Sequence, residues 1–390
     1  LFEADALEYR LSNAGAQVLI TNAENYAKVA PLRDRLEGLR TVFLIDGTAA
    51  DAKDFWAEME KASEQFETAA TGPDDPALLC YTSGTTGPPK GALHGHRVLP
   101  GHLPGFDLLH EFFGQEGDLS WSPADWAWIA GLMDVLIPTW AHGLPVLAYR
   151  AAGGFDPEAA FHMMARHGVR NALMVPTMLK LMRQLAHPPR VSLRTMLVGG
   201  EAVGPEILEW GRKQFGVTLN EGYGQTECNL VLAHVPALMA AKPGALGQPT
   251  PGHIGAIVDD AGNEVAAATE GNIAFKRPDP VMMLEYWDDS DATVDKYRDD
   301  WLITGDRGIR DEDGYFWFVG RTDDVITSSG YRIGPGEIED CLLKHPDIAV
   351  AAAIGVPDPV RTEVVKVLVV PAEGVVPGLK LEQDIRRFVR

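Results

Sequence analysis

The sequence of 390 residues is short of cysteine, of basic residues and of long apolar runs. Its three cysteines, Cys80, Cys228 and Cys341, are too few and too widely spaced for a disulfide framework or a metal cluster, which favours a reducing compartment, the cytoplasm. Lysine and arginine number 34 against 55 acidic residues, and the net charge of −21 argues against nucleic-acid and anionic-membrane partners. No apolar run reaches the roughly 18 residues of a membrane span. The longest candidate, residues 129–147, is interrupted by Asp134 and two prolines.

The composition that remains is that of an ordinary globular chain, with 46% hydrophobic and 23% charged residues. This length exceeds one ordinary core, so we expect two domains or one large domain with subdomains. The chain starts at Leu1 without a methionine, and its last residues read as an amphipathic helix without a C-cap. We therefore expect a fragment, truncated at both ends, whose targeting signals and oligomeric state the sequence does not indicate.

Strand-like apolar runs alternate with helix-like segments through the first two thirds of the chain. This alternation predicts an α/β fold with largely parallel sheets. Strands are predicted at 17–21, 41–45, 77–81, 145–148, 171–175 and 195–198, and helices at 54–66, 157–167 and 178–185.

The sequence pattern changes near residue 244, where short strand-like segments joined by glycine-containing turns begin. Residues 260–263 and 311–314 carry hairpin-turn chemistry. We predict a β subdomain over about 244–320 that completes a large domain, residues 1–320. Residues 321–390 read as a small α+β domain, with a helix at 336–344, strands at 349–355 and 366–370, and a final helix.

The segment TSGTTGPPKG at 82–91 follows a predicted strand and combines glycines, hydroxyls and one lysine. Glycines let backbone N–H groups approach an anion closely, hydroxyls add donors, and Lys90 adds a positive charge. The segment is not a Walker A loop, because Pro89 precedes the lysine and Gly91 follows it. The alternative is an ordinary glycine turn, which needs neither the hydroxyls nor the lysine. The candidate phosphate-binding residues are Thr82, Ser83, Gly84, Thr85, Thr86, Gly87 and Lys90.

Five later segments follow in a fixed order: GGEA at 199–202, EGYGQTE at 221–227, WLITGD at 301–306, GRTDD at 320–324 and SSGYRIGPGEIE at 328–339. With the loop, they resemble the motifs of the acyl-adenylate-forming enzymes, which include acyl-CoA synthetases, nonribosomal adenylation domains and luciferases. The resemblance covers nearly the whole chain. It implies ATP, Mg²⁺, coenzyme A and a small carboxylic acid as ligands. It also implies two αβ subdomains and a small distorted β-barrel in the large domain.

The resemblance assigns the nucleotide residues. Tyr223 would stack on adenine, Thr226 would contact the α-phosphate, and Glu227 would hold Mg²⁺. The glycine pair before Glu201 could instead be a plain turn, and Glu227 a solvated acid. The full set implied for the adenine side is Gly200, Glu201, Ala202, Glu221, Gly222, Tyr223, Gly224 and Gln225.

The later motifs supply the ribose, hinge and coenzyme A residues. Asp306 would accept hydrogen bonds from the ribose hydroxyls, which suits an acceptor-only carboxylate. Arg321 would contact the ribose or a phosphate, and Arg332 would approach a phosphate of the nucleotide. Asp323 matches the hinge between the large and small domains. Ser329 and Gly330 would flank the coenzyme A path.

Gln225 before the Thr-Glu pair resembles the acetyl- and medium-chain acyl-CoA synthetase branch. Acetate-specific members carry a tryptophan where this chain has Gly224, so we expect an opened acyl pocket and a medium-chain, branched or aryl acid. Trp128, Ile129, Ala130 and Gly199 are the other candidates for that pocket. Trp126 and Trp128 could equally be core aromatics.

The implied activity is that of an AMP-forming acyl-CoA synthetase, with Thr226, Glu227 and Lys90 as the catalytic candidates. The family's G-K lysine segment does not occur in this chain, which puts its activity in doubt. The alternatives are an adenylation domain that loads a carrier protein and a catalytically impaired nucleotide-binding fragment. His94 matches a family histidine after the loop, although buried or solvated histidines are the favoured reading of His94, His96 and His102.

Overall fold

A computed structural model describes residues 4–82, 89–149, 153–201, 203–322, 324, 326–328, 331–333, 335–358 and 362–388. The α-helices are α1 Ala4–Asn13, α2 Ala23–Val29, α3 Phe55–Met59, α4 Val98–Leu109, α5 Ile129–Gly131, α6 Ile137–Ala141, α7 Pro157–His167, α8 Pro176–Arg183, α9 Pro205–Phe215, α10 Ser290–Asp295, α11 Pro335–Leu342 and α12 Leu379–Phe388. A 3₁₀ helix covers Ala30–Arg35 and a π-helix covers Leu132–Leu136.

The strands are β1 Val18–Thr21, β2 Thr41–Leu44, β3 Lys53–Asp54, β4 Pro76–Tyr81, β5 Gly91–Gly95, β6 Ser120–Trp121, β7 Asn171–Met174, β8 Thr195–Gly199, β9 Leu219–Gln225, β10 Cys228–His234, β11 Ala245–Pro249, β12 Gly255–Val258, β13 Gly271–Lys276, β14 Glu285–Tyr286, β15 Tyr297–Arg298, β16 Trp301–Arg310, β17 Phe316–Arg321, β18 Ile326–Ser328, β19 Tyr331–Ile333, β20 Ile348–Asp358 and β21 Thr362–Pro371.

The chain divides into two compact units, residues 1–97 with 283–293 and residues 98–282 with 294–390. The predicted boundary between residues 320 and 321 stays a prediction. In the first unit, β1, β2 and β3 form a parallel sheet, and β14, β5 and β4 form an antiparallel one. Its largest buried cluster includes Tyr26, Leu32 and Leu44.

The second unit contains an eleven-stranded sheet in the part of the chain that the structure describes. Strands β6 to β9 run parallel, whereas β9 pairs with β10 antiparallel and the strands beyond it are antiparallel. Strands β18 to β21 form a separate four-stranded sheet in the order β19, β18, β21, β20. A mixed α/β fold with parallel strands is therefore confirmed.

Helix α7 shows how local signals set an element's limits. Asp156 accepts hydrogen bonds from the backbone N–H groups of Glu158 and Ala159, and Pro157 fills the first helical position. The helix ends at Gly168, whose φ of 68° is unfavourable for a residue with a Cβ. Its predicted range, 157–167, is confirmed.

Two local predictions are wrong. The predicted helix at 54–66 is only α3, which ends at Met59. The predicted strand at 145–148 is a single bridge between Val146 and Ser120. The residues after α3, 60–66, are exposed, so no apolar face packs to extend that helix.

The predicted turns are confirmed at both hairpins. The Asp259 carboxylate accepts from the N–H groups of Ala261 and Asn263, and the Asp311 carboxylate does so from residues 313 and 315. The three cysteines are free, as expected. Among the described residues, no helix is both long and apolar enough to span a membrane.

Candidate functional site

Asp306 is the centre of a polar cluster in the second unit. It lies on β16 with only 5% of its surface exposed. Its Oδ2 accepts a 2.6 Å hydrogen bond from the Tyr223 hydroxyl and a 3.0 Å bond from Gln225 Nε2. Tyr223 and Gln225 are two positions apart on β9, so their side chains point to the same face of the strand. The structure therefore brings three predicted nucleotide residues together.

Burial is the largest influence on the Asp306 carboxyl and raises its pKa above the ordinary value. The hydrogen bond from Tyr223 and the positive charge of Arg321 partly offset that rise in pKa. Arg321 is the cross-strand partner of Asp306, with Nη1 3.9 Å from Asp306 Oδ1. Burial, and then the charge of Asp306, raise the pKa of Tyr223 well above its usual value. The phenol therefore keeps its proton and acts as a donor.

Lys296 belongs to the same cluster, although no motif pointed to it. Its Nζ donates to the backbone carbonyl of Thr304 at 3.2 Å and lies 3.5 Å from Gln225 Oε1. Its charge also lowers the pKa of Asp306. The only sequence signal was a lysine ten positions before Asp306, which is too weak to single it out.

Glu227 lies in the turn between β9 and β10, and it is only 8% exposed. The reading of Glu227 as an ordinary solvated acid is therefore wrong. Thr226 precedes it and is half-buried. A carboxylate oxygen suits Mg²⁺, which commonly takes one or two carboxylates together with substrate phosphates and water. In the described ranges, no three His, Cys, Asp or Glu side chains gather as a set of metal ligands.

Two predicted adenine-side acids are engaged by neighbouring protein groups. Glu221 Oε1 lies 3.2 Å from His234 Nδ1, and His234 Nε2 accepts from the Lys242 N–H. Glu201 is exposed and accepts from both the N–H and the hydroxyl of Thr177, in the first turn of α8. Gly200, with φ of 84°, makes the turn before Glu201. Ala202 lies outside the described residues.

The phosphate-loop candidates belong to the first unit, and most lie outside the described residues: Ser83, Gly84, Thr85, Thr86 and Gly87. The two ends of the segment are held together, because the Thr82 N–H donates to the Lys90 carbonyl at 2.8 Å. Lys90 Nζ lies 5.3 Å from the ring centroid of Tyr286. The phosphate-binding role stays a prediction.

The histidine readings are consistent with structural roles. His94 and His102 are buried, whereas His96 is exposed. Asp323, Ser329 and Gly330 lie outside the described residues. Arg332 is described only as a backbone position in β19, paired with Thr327. The hinge, coenzyme A and phosphate roles of this region therefore stay predictions.

The acyl-pocket candidates have two different environments. Trp126 and Trp128 are 37% and 40% exposed, so they are not core aromatics. Trp128 precedes α5, in which Ile129 and Ala130 are half-buried. The surfaces of these side chains are thus at least partly accessible, and their acyl-pocket role stays a prediction.

Gly199 and Gly224 are sites of close backbone approach. A Cβ on Gly199 would lie 2.6 Å from the carbonyl oxygen of Gly222, and a Cβ on Gly224 would lie 2.4 Å from the backbone nitrogen of Leu230. The expectation that Gly224 opens a deep slot is therefore wrong, because the adjacent strand β10 fills that space.

Comparison with known proteins supplies the context for this geometry. Residues 1–287 match the sequence model of AMP-binding enzymes, and residues 337–390 match that of the AMP-binding enzyme C-terminal domain. The chain is 35% identical over 403 aligned positions to an acetyl-coenzyme A synthetase of Bacillus subtilis, covering 100% of this chain and 69% of the relative. It is 35% identical over 372 positions to the mitochondrial acyl-coenzyme A synthetase ACSM4 of Mus musculus, covering 93% of this chain and 63% of the relative.

Two solved structures share the fold. The anthranilate CoA ligase AuaEII, in complex with anthranoyl-AMP, superposes with a TM-score of 0.87 at 26% identity, covering 100% of this chain and 74% of that one. An acyl-CoA synthetase of Brucella canis has a TM-score of 0.75 at 32% identity, covering 100% and 71%. The chain spans 63% to 69% of the length of the two curated relatives.

Proposed function

Because the chain belongs to the AMP-binding enzyme family and to its acyl-CoA synthetase branch, we propose that it activates a carboxylic acid with ATP and transfers the acyl group to coenzyme A. The family resemblance carried by the ordered motifs is confirmed, and with it the enzyme class, an acid–thiol ligase. Activity, substrates and partners of this chain itself remain proposals.

The proposed reaction has two steps. A carboxylate oxygen attacks the α-phosphorus of ATP, the bond from that phosphorus to the bridging oxygen breaks, and pyrophosphate leaves. The coenzyme A thiol then loses its proton and attacks the acyl carbon, and AMP leaves as the thioester forms. The protein's part is to position the reactants and to stabilise the phosphate charge.

The cluster around Asp306 is the observation that supports this proposal most directly. This buried carboxylate accepts from two donors on its Oδ2, and within the part of the chain that the structure describes Oδ1 has the longer approach of Arg321. That leaves acceptor capacity for the hydroxyls of a ribose. The Tyr223 ring, fixed by its own hydroxyl, provides an aromatic face for the purine.

Glu227, Thr226 and Lys90 complete the proposed nucleotide machinery. Glu227 is the residue that would hold Mg²⁺, and the ion would supply positive charge beside the phosphates. Thr226 would donate its hydroxyl to the α-phosphate. Lys90 and the loop before it would bind the β- and γ-phosphates that leave as pyrophosphate.

For the acid we propose a medium-chain, branched or aryl substrate in preference to acetate. The support is the accessible surface of Trp128 and its neighbours Ile129 and Ala130, together with the name of the structural relative, an anthranilate CoA ligase. The Bacillus relative, named as an acetyl-coenzyme A synthetase, represents the competing choice. Gly224 does not contribute to this argument.

The test is pyrophosphate release with ATP, Mg²⁺ and an acid panel of acetate, butyrate, hexanoate and benzoate. We expect turnover to be highest with hexanoate or benzoate, and acetate as the best acid would contradict the substrate proposal. Asp306→Ala should lower kcat/KM for ATP by about 100-fold, because the carboxylate would no longer accept two charge-assisted hydrogen bonds from the ribose hydroxyls. Asp313→Ala, at an exposed carboxylate in the same unit, should change it little.

A second experiment separates the steps and the alternatives. Lys90→Ala and Thr85→Ala should slow adenylation more than thioester formation from supplied acyl-AMP, and equal losses would count against the phosphate-loop role. Acyl transfer to free coenzyme A supports the synthetase, whereas transfer only to a phosphopantetheinyl carrier supports an adenylation domain. Nucleotide binding without pyrophosphate release would identify an impaired fragment.

A further inference from the structure

Helix α1 bonds the chain at both ends of the segment 82–91. The Tyr9 hydroxyl donates to the Pro89 carbonyl at 3.0 Å, and Asn13 Oδ1 accepts from the Tyr81 hydroxyl at 2.6 Å. Tyr9 and Asn13 are four positions apart in the helix, so their side chains lie on the same face. The two bonds join positions 80 and 68 residues apart, so they exist only in the folded unit.

The end of α1 is also bonded to the residue that follows β14. Trp287 Nε1 donates to the Asn13 carbonyl at 2.8 Å, and the Trp287 N–H donates to the Gly91 carbonyl at 2.7 Å. The residue before it, Tyr286, has its ring centroid 5.3 Å from Lys90 Nζ. Asn13 therefore accepts on its backbone oxygen as well as on its side chain, and its second partner is the neighbour of the ring beside Lys90.

Three consecutive carbonyl groups around Lys90 are engaged in this way. The carbonyl of Lys90 accepts from the Thr82 N–H. The carbonyl before it accepts from Tyr9, and the carbonyl after it accepts from the Trp287 N–H. Holding the backbone on both sides of a long, flexible side chain limits the positions of its ammonium group before a ligand binds.

Helix α1 contributes polar bonds here, since none of its residues, Ala4–Asn13, is fully buried. Burial raises the pKa of Tyr81 to about 12, so its phenol keeps its proton and can donate to Asn13 at neutral pH. The rings of Tyr9 and Tyr81 also pack edge to face, with centroids 6.4 Å apart. Two hydrogen bonds and one ring contact thus attach α1 to the two ends of the segment.

We propose that Tyr9 and Asn13 are positioning residues for the adenylation step: they hold the backbone on either side of Lys90, and so place its ammonium group for the ATP phosphates. The inference rests on the proposed function for the role of Lys90. Neither residue has to touch the nucleotide. Their effect should therefore be confined to nucleotides that carry the β- and γ-phosphates, and it should require Lys90 itself.

The first measurement uses Tyr9→Phe, which removes the hydroxyl and keeps the ring. We expect KM for ATP in pyrophosphate release to rise about fivefold, the contribution of one neutral hydrogen bond, while thioester formation from supplied acyl-AMP changes less than about twofold. Tyr26→Phe is the matched control, because it removes a hydroxyl that donates to Asp51 in the same unit, and it should leave KM for ATP unchanged. An unchanged KM in Tyr9→Phe, or equal losses in both steps, would overturn the proposal.

The second measurement compares two substitutions at Asn13. Asn13→Ala should raise KM for ATP by a similar factor, because the Tyr81 hydroxyl loses its acceptor. Asn13→Asp keeps an oxygen acceptor at that position and should restore most of the loss. Both variants retain the backbone carbonyl that accepts from Trp287, so the difference between them reports on the side chain alone. Equal KM values for the two variants would overturn the role of Asn13.

A double-mutant cycle tests whether Tyr9 acts through Lys90. In the Lys90→Ala background, Tyr9→Phe should have no further effect on KM for ATP, because the group that it positions is gone. A further rise of about fivefold would show that the two effects are independent, and would overturn the proposal.

Nucleotide binding by calorimetry separates this inference from the proposed function. If no acid supports pyrophosphate release by the unmodified chain, the proposed function fails, and the dissociation constants of Mg²⁺-ATP and AMP still decide the inference. Tyr9→Phe should weaken ATP binding about fivefold and leave AMP binding unchanged, since AMP lacks the β- and γ-phosphates. A change of the same size for both nucleotides, including no change, or no ATP binding by the unmodified chain, would overturn the inference.

Discussion

Tyr223→Phe is the sharpest test of the Asp306 cluster, because it removes one hydroxyl and keeps the aromatic ring. The hydroxyl donates at 2.6 Å to Oδ2 of a carboxylate that is 5% exposed. The ring would remain available to a purine. The variant therefore isolates the hydrogen bond that positions Asp306.

The expected magnitude follows from the charge and burial of the acceptor. Hydrogen bonds to charged groups contribute about 1.5–3 kcal/mol, so we expect the free energy of unfolding to fall by about 2 kcal/mol at pH 7.5. If Asp306 must be held in place to bind ribose, KM for ATP should rise by roughly tenfold or more.

The pH dependence has a defined sign. The folded pKa of Asp306 is already raised by burial, so ionising it costs stability as the pH rises from the unfolded pKa to the folded one. The hydrogen bond from Tyr223 lowers this pKa, and its removal raises the pKa further. The acid limb of kcat/KM for ATP should therefore move to higher pH. The loss of stability should be smaller near pH 4, where more of Asp306 is protonated.

The assay combines denaturant unfolding at two pH values with ATP kinetics across pH. Tyr315→Phe is the matched control, because it removes a hydroxyl that donates at 2.9 Å to the neutral carbonyl of Ala240 in the same unit. We expect the control to leave KM for ATP and the pH profile unchanged. The reasoning would be refuted if Tyr223→Phe lost stability but kept both the KM and the acid limb of the parent chain.

Three further predictions concern other parts of the second unit. Gly224→Ala should lower the free energy of unfolding by about 1–3 kcal/mol, because its Cβ would meet backbone at 2.4 Å, whereas Gly154→Ala, in open space, should not. Arg194→Met should lower it by about 3 kcal/mol at neutral pH by removing the pair with the buried Asp118; burial raises the pKa of that carboxyl, but the bond from Arg194 helps to hold it below its ordinary value, so the loss should shrink only as the pH falls through this lowered pKa, which denaturation at pH 7 and across the acid range checks. Lys296→Met should raise KM for ATP severalfold, since it removes a cation beside the central carboxylate; an unchanged KM would limit this lysine to a structural role.

Much of the fold could be predicted from local sequence. Helix α7 has its cap, its N-terminal proline and its terminal glycine within thirteen residues, so its limits were fixed by short-range chemistry. The carboxylates at Asp259 and Asp311 likewise act on N–H groups two to four residues away. The segment at 145–148 failed because strand formation depends on a partner elsewhere in the chain, and only Val146 finds one, at Ser120.

In the candidate site, too, residue types could be predicted from local sequence, whereas contacts between distant residues could not. The ordered motifs predicted Tyr223, Gln225 and Asp306 individually as nucleotide residues, through residue types suited to a nucleotide. Their mutual hydrogen bonds join positions more than 80 residues apart, so only the folded sheet brings them together. Lys296 lies in no motif, and its role follows from where β16 places its neighbours.

Gly224 shows most clearly what could not be predicted from the sequence. The sequence by itself determined the family and the alternation of strands and helices, and it predicted the nucleotide residues, because these depend on local pattern and order. It could not show that the space beside Gly224 is filled, since that depends on a bulge in β10 and on a buried bond from Asn229 to a helix nearly a hundred residues away. The volume next to a residue is a property of its neighbours in space, and only the tertiary structure decides which neighbours those are.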